Sequence, residues 1–157
     1  MYEKILTFLF LLLCSAGCNA ENINDNFANK NMGNSLDFEG GMFYLMVDNQ
    51  EIACEFASSV AAKELKEILK NGAITINMKN YGGFEKVGSL PQNLTKNDES
   101  INASSGDILL YQGRYMVIMY GSNSWSYTRL GKITGLSSSE IYNILSKAGN
   151  SMKVYIK

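Results

Sequence analysis

The feature that most constrains this chain is a series of short strand-like runs, each bounded by turn residues. The clearest case is Ile108–Tyr111, opened by Gly106-Asp107, turned at Gln112-Gly113 and answered by Tyr115–Tyr120, which predicts a β-hairpin. Met42–Val47 and Glu51–Phe56 flank a tight turn at Asp48–Gln50 and predict a second. Further strands are expected at Ala73–Met78, at Phe84–Leu90 after Tyr81-Gly82-Gly83, at Tyr127–Ile133 before Gly135, and at Met152–Ile156. The polar stretches Gln92–Ser105 and Ser122–Ser126, the latter carrying Trp125, are expected to be loops. Two helical patterns interrupt the strands. Ser58 or Ser59 caps a helix through Lys70, with Ala61, Leu65, Ile68 and Leu69 as its apolar stripe and Asn71-Gly72 as its stop. Ser137 and Glu140 form a capping box for a second helix, with Ile141, Ile144, Leu145 and Ala148 inward and Gly149 at its end. Roughly eight short strands at this spacing favour a closed β-barrel, since closure removes exposed edges, and the two amphipathic helices would cap its open ends. The fold class expected is therefore mainly β, a single domain over residues 42–157 with no internal repeat.

Ahead of that domain, Lys4 precedes an apolar run, Ile5–Leu13, and Ser15, Ala16 and Gly17 lead into Cys18. The run is too short to span a bilayer but suits the apolar core of an export signal. The pattern resembles a bacterial lipoprotein signal, residues 1–17, in which Cys18 becomes the lipidated first residue. Ser15 stands where leucine is usual in such signals, and Glu3 sits beside Lys4. Cleavage after Gly17 or Ala20, releasing a soluble secreted or periplasmic protein, is the competing reading. Residues 18–41 are rich in Asn with Asp, Glu, Ser and Gly and cannot bury enough apolar surface to offset ordering, so a flexible tether is expected.

Composition removes several function classes. With 14 Lys and Arg against 15 Asp and Glu, there is no broad basic field for nucleic acid. There is no histidine, which removes the usual general base, the Ser-His and Cys-His nucleophile pairs and imidazole metal ligands. Asn97-Asp98-Glu99 lacks the spacing of a calcium loop, and Gly131-Lys132 is followed by Ile133 rather than the Ser or Thr of a phosphate loop. No metal or cofactor is expected. If Cys18 is lipidated and Cys14 removed, Cys54 has no partner; alternation with Ile52 and Phe56 places it on a buried face as an inert thiol.

The segments Asn80-Tyr81-Gly82-Gly83-Phe84-Glu85-Lys86-Val87-Gly88-Ser89-Leu90-Pro91, Gly106-Asp107-Ile108, Tyr111, Tyr120-Gly121 and Arg129-Leu130-Gly131-Lys132-Ile133 follow one another in an order that resembles the bacterial cyclophilin-like domain family. The resemblance covers about residues 42–157 and implies an eight-stranded barrel closed by two helices. Members are known mostly by fold. True cyclophilins are peptidyl-prolyl isomerases, which twist an X–Pro bond against a barrier of about 18–20 kcal/mol. A fixed arginine donates to the prolyl nitrogen, which accepts best as the amide twists. That arginine lies in a Phe-His-Arg-Val-Ile-Pro segment with a Gln-Gly-Gly-Asp run beyond it. Here the nearest match is Phe84-Glu85-Lys86-Val87-Gly88-Ser89, with Lys86 at the arginine position and no Gln-Gly-Gly-Asp. No catalytic residue is carried over.

Alternation puts Phe84, Lys86, Gly88 and Leu90 on one face of their strand and Glu85, Val87 and Ser89 on the other. Lys86 either holds an anionic group or, the reading preferred here, lays its stem on apolar surface with its ammonium in water. Tyr81, Tyr111, Tyr120, Trp125 and Tyr127 either line a cleft or pack as ordinary strand aromatics. Arg129 either clamps a carboxylate or pairs with Glu85 or another acid. The expectation is thus an exported, lipid-anchored protein of the cell envelope, whose barrel binds a peptide or small molecule in a cleft built from Tyr81, Phe84, Lys86, Tyr111, Tyr120, Trp125, Tyr127 and Arg129. The alternatives are a diverged prolyl isomerase acting on exported proteins and a structural envelope lipoprotein without a small ligand.

Overall fold

The computed structural model describes residues 40–157; the leader 1–17, Cys18 and all but the last two residues of the tether lie outside the described residues. The elements in chain order are β1 (Met42–Val47), β2 (Gln50–Phe56), α1 (Val60–Lys70), β3 (Ile74–Tyr81), β4 (Glu85–Ser89), β5 (Glu99–Ala103), β6 (Asp107–Tyr111), β7 (Tyr115–Met119), β8 (Asn123–Ile133), α2 (Ser138–Leu145) and β9 (Ser151–Tyr155). The domain is mainly β. Two departures from the sequence expectation stand out. The polar stretch 92–105 contains β5, which makes nine strands rather than eight, and Ser122–Ser126 is largely the first half of β8, so Trp125 sits on a strand and not in a loop.

Local chemistry accounts for the turns and caps. Asp48 and Asn49 both adopt positive φ, 44° and 68°, while Val47 pairs with Gln50, the geometry that lets a two-residue turn match the twist of its strands. The Ser59 hydroxyl accepts from Ala62 N at 3.0 Å and caps α1. Ser137 and Glu140 cap α2 reciprocally, the Ser137 N–H donating to Glu140 Oε2 at 2.8 Å.

All pairings are antiparallel. They run β2-β1-β9-β3-β4-β7-β6-β8, and β8 pairs again with β2, so eight strands form a ring. The ring uses the second half of β8. Its first half, Asn123–Tyr127, pairs instead with β5, which lies outside the ring. The return of β8 to β2 depends on Gly131: a Cβ there would sit 2.4 Å from the Glu55 carbonyl oxygen and 2.8 Å from the Phe43 ring.

Period-two alternation sorts the strand residues into two clusters. Phe43, Leu45, Cys54, Ile76, Ile108, Leu110, Met116 and Ile118 join the buried faces of both helices in the main core. From the same strands, Leu109, Val117 and Met119 point the other way and meet Ile101, Ala103 and Tyr127 in a smaller cluster. Strands β6 and β7 are thus buried on both faces, and β5 covers part of the outer one.

Candidate functional site

The smaller cluster is the floor of a pocket. Val87 on β4 and Val117 on β7 are paired neighbours at its base. Alternation along β8 sends Asn123, Trp125 and Tyr127 to the same side, Tyr111 reaches in from β6, Tyr81 from the end of β3, and Glu85 from β4. These eight residues enclose about 440 Å³, within the range of small-ligand sites. Tyr111 and Tyr127 meet edge to face with ring centroids 6.1 Å apart. Tyr81, at the end of β3, and Trp125, on β8, stand at the rim, 66% and 58% exposed, whereas Tyr127, two residues beyond Trp125 on the same strand, is buried.

The polar part of the pocket is a short relay. Asn123 Nδ2 donates to Tyr127 Oη at 3.2 Å, and Tyr127 Oη donates to Glu85 Oε2 at 3.4 Å. Glu85 is only 6% exposed and no ion pair among the described residues involves it. Burial pushes its carboxyl above the ordinary range, partly opposed by the Tyr127 hydrogen bond. Burial, and next the Glu85 charge, push the Tyr127 phenol up as well.

Lys86, one residue on, takes the opposite face and enters the ring interior. It is fully buried, and its Nζ donates to Ala148 O at 3.0 Å and Gly149 O at 3.2 Å, in the connection from α2 to β9. The expectation of an ammonium in water is therefore corrected. The interior carries two backbone carbonyls left open past the end of α2, and they provide the partners that water would have supplied. Gly149 N in turn donates to Asp48 Oδ2 at 2.9 Å, so the β1–β2 turn, the α2–β9 connection and β4 converge here. Burial lowers the Lys86 pKa, and Asp48 partly opposes this.

Of the eight residues expected to form one cleft, the structure brings Tyr81, Tyr111, Trp125 and Tyr127 together. Phe84 is half-buried and packs against the smaller cluster without lining the pocket. Tyr120 belongs to the main core, edge to face with Tyr142 at 5.8 Å. Arg129 pairs with Glu99 at 3.3 Å beside a separate hollow of about 190 Å³ next to Ser58 and Ser59. Four lining residues, Glu85, Val87, Val117 and Asn123, were not anticipated. The signal for the first two was present, since the Glu85–Val87 face had to point away from wherever Lys86 pointed. Among the described residues no three His, Cys, Asp or Glu side chains gather as metal ligands.

A family model described as the cyclophilin-like family matches residues 45–157. No curated protein matches the chain.

Proposed function

Because the chain belongs to the cyclophilin-like family, we propose that its ring of eight strands works as a closed barrel carrying a ligand pocket, and that the protein binds without catalysing X–Pro isomerisation. One observation carries this reading: the position matching the isomerases' arginine is Lys86, and it is committed to two backbone carbonyls on the far side of β4 from the pocket. The pocket itself presents aromatic surface and a carboxylate, with no Lys or Arg among its lining residues. Prolyl isomerisation needs a fixed donor aimed at the twisting nitrogen, and losing one such donor costs about 10²–10³ in rate. Recognition of a peptide or small molecule needs only a shaped, partly apolar hollow with a few polar groups.

In the same reading the protein is exported and held on a membrane of the cell envelope through a lipid on Cys18, with residues 18–41 as the tether. The apolar run Ile5–Leu13 and the small residues before Cys18 support this. Two measurements test the proposal. In a blocked Xaa-Pro peptide assay the protein should leave the isomerisation rate at its uncatalysed value; acceleration that Glu85→Gln or Tyr127→Phe abolishes would restore the enzyme. Fatty-acid labelling should mark the wild type and not Cys18→Ser, which should move to the soluble fraction; an unlabelled wild type would remove the anchor.

A further inference from the structure

The pocket's one charged group has an open side. Glu85 Oε2 takes the long Tyr127 hydrogen bond, whereas Oε1 has no hydrogen-bond partner among the described residues. Yet no buried side-chain oxygen or nitrogen among them lacks a partner, so Oε1 is not sealed in protein and opens to the pocket. Around it stand four aromatic rings, those of Tyr81, Tyr111, Trp125 and Tyr127. No cation of the described residues neutralises the carboxylate.

These features select the sign of a ligand. A carboxylate that is nine-tenths buried is costly to keep charged without a strong donor, and a single neutral hydrogen bond at 3.4 Å is a weak one. An anion entering the pocket would meet that carboxylate. A cation would meet both the carboxylate and the negative faces of aromatic rings, which attract ammonium groups within about 6 Å. Val87 and Val117 at the floor suit an apolar body behind the charge.

We propose that this pocket binds a protonated amine carried on an alkyl chain, with an ammonium N–H donating to Glu85 Oε1 and the alkyl part lying over Val87 and Val117. The chemistry fits equally a free alkylamine or a lysine side chain presented by a peptide. It rests on the reading of this hollow as a ligand site and adds the class of ligand.

The titratable groups that face Glu85 are Tyr81 and, one cross-strand pair along on the same face of β3, the exposed Lys79, with Tyr111 from β6 and Tyr127 from β8; Tyr120 after β7 also senses its charge. Lys79 is the cation of this face, and it makes no ion pair with Glu85. Since binding requires the carboxylate, affinity should weaken as pH falls through the raised Glu85 range.

Trp125, the only tryptophan in the chain, stands at the rim and reports binding by its fluorescence. Four probes would be titrated into the intact protein at pH 8 and pH 5: pentylammonium, N-acetyl-lysine methylamide, N-acetyl-norleucine methylamide and N-acetyl-glutamate methylamide. At pH 8 one of the two cations should bind at least ten-fold more tightly than norleucine, and glutamate should bind weakest. The tighter cation identifies the source, a free amine or a lysine side chain. Glu85→Gln should cut cation binding at least ten-fold and leave norleucine binding no weaker than in the wild type. Should that variant fold poorly, the wild type alone suffices: cation binding should drop between pH 8 and pH 5 while norleucine binding stays flat. Equal binding of norleucine and the cations, or tighter glutamate binding, would overturn the cation assignment and leave a ligand pocket of another kind. No response to any of the four would overturn the pocket reading with it.

Discussion

Replacing Lys86 tests whether an ammonium can act as an internal strut. Truncation to alanine removes the buried stem beyond Cβ, at about 0.8 kcal/mol per methylene, or roughly 2–2.5 kcal/mol. It also strips the Ala148 and Gly149 carbonyls of their donor. A hydrogen bond to a charged group is worth about 1.5–3 kcal/mol, but the ammonium's own desolvation offsets much of that, leaving a net of about 1–2 kcal/mol. The total for Lys86→Ala is about 3–4.5 kcal/mol, a fall in Tm on the order of 10–18 °C for a domain of this size. Lys86→Met keeps most of the stem and should lose only the polar part, about 1–2 kcal/mol. Thermal and urea unfolding followed by circular dichroism would rank wild type above Met above Ala. A Lys86→Ala protein within about 1 kcal/mol of wild type, or Met no better than Ala, would refute the reasoning. A pH series gives an independent check. Burial holds the folded-state pKa of Lys86 below its ordinary value of 10.5, so the folded protein binds fewer protons than the unfolded chain in the window between the two. Stability therefore rises with pH through that window. The neutral amine still carries two N–H donors for its two carbonyls. The advantage of wild type over Lys86→Met should widen as pH climbs towards 10.5 and level off above it.

Two further outcomes follow from the packing. Gly131→Ala places a methyl against the Glu55 carbonyl and the Phe43 ring, and should cost about 1–3 kcal/mol while loosening the β2–β8 seam, seen as faster amide exchange at Cys54 and Ile133; unchanged exchange there would contradict the close approach. Cys54 is fully buried, and burial drives its thiol pKa far up, so a thiol reagent should label it only as fast as the domain opens, with denaturant accelerating the reaction; prompt labelling of native protein would contradict this.

Most of the sheet was legible because its strands announce themselves by Gly-marked turns and apolar alternation, and both helices because their caps are written in Ser59 and in the Ser137–Glu140 box. Strand β5 was not, since only Ile101 and Ala103 of its five residues face protein and the remainder look like loop. An indirect sign existed. Asp107–Tyr111 and Tyr115–Met119 hold apolar residues on both faces, and a sheet so composed needs a cover on each side. The first half of β8 carried a similar sign, with Asn123, Trp125 and Tyr127 alternating against Ser124 and Ser126. The site was half legible for a related reason. Its aromatics could be named from composition, but the partner of Lys86 lies 62 residues away in sequence, and without it nothing decided which face of β4 pointed inward.

The place of β9 bears on how the domain is made. It sits between β1 and β3 as the neighbour of both, with Met152 and Val154 buried. In order of synthesis, however, it comes after every other element of the domain. Until it emerges, the first hairpin reaches the rest of the sheet only through the β2–β8 pairing, and β1 and β3 are left as two unsatisfied edges. The ring can therefore close only after the last element of the domain has been made, however early its hairpins form.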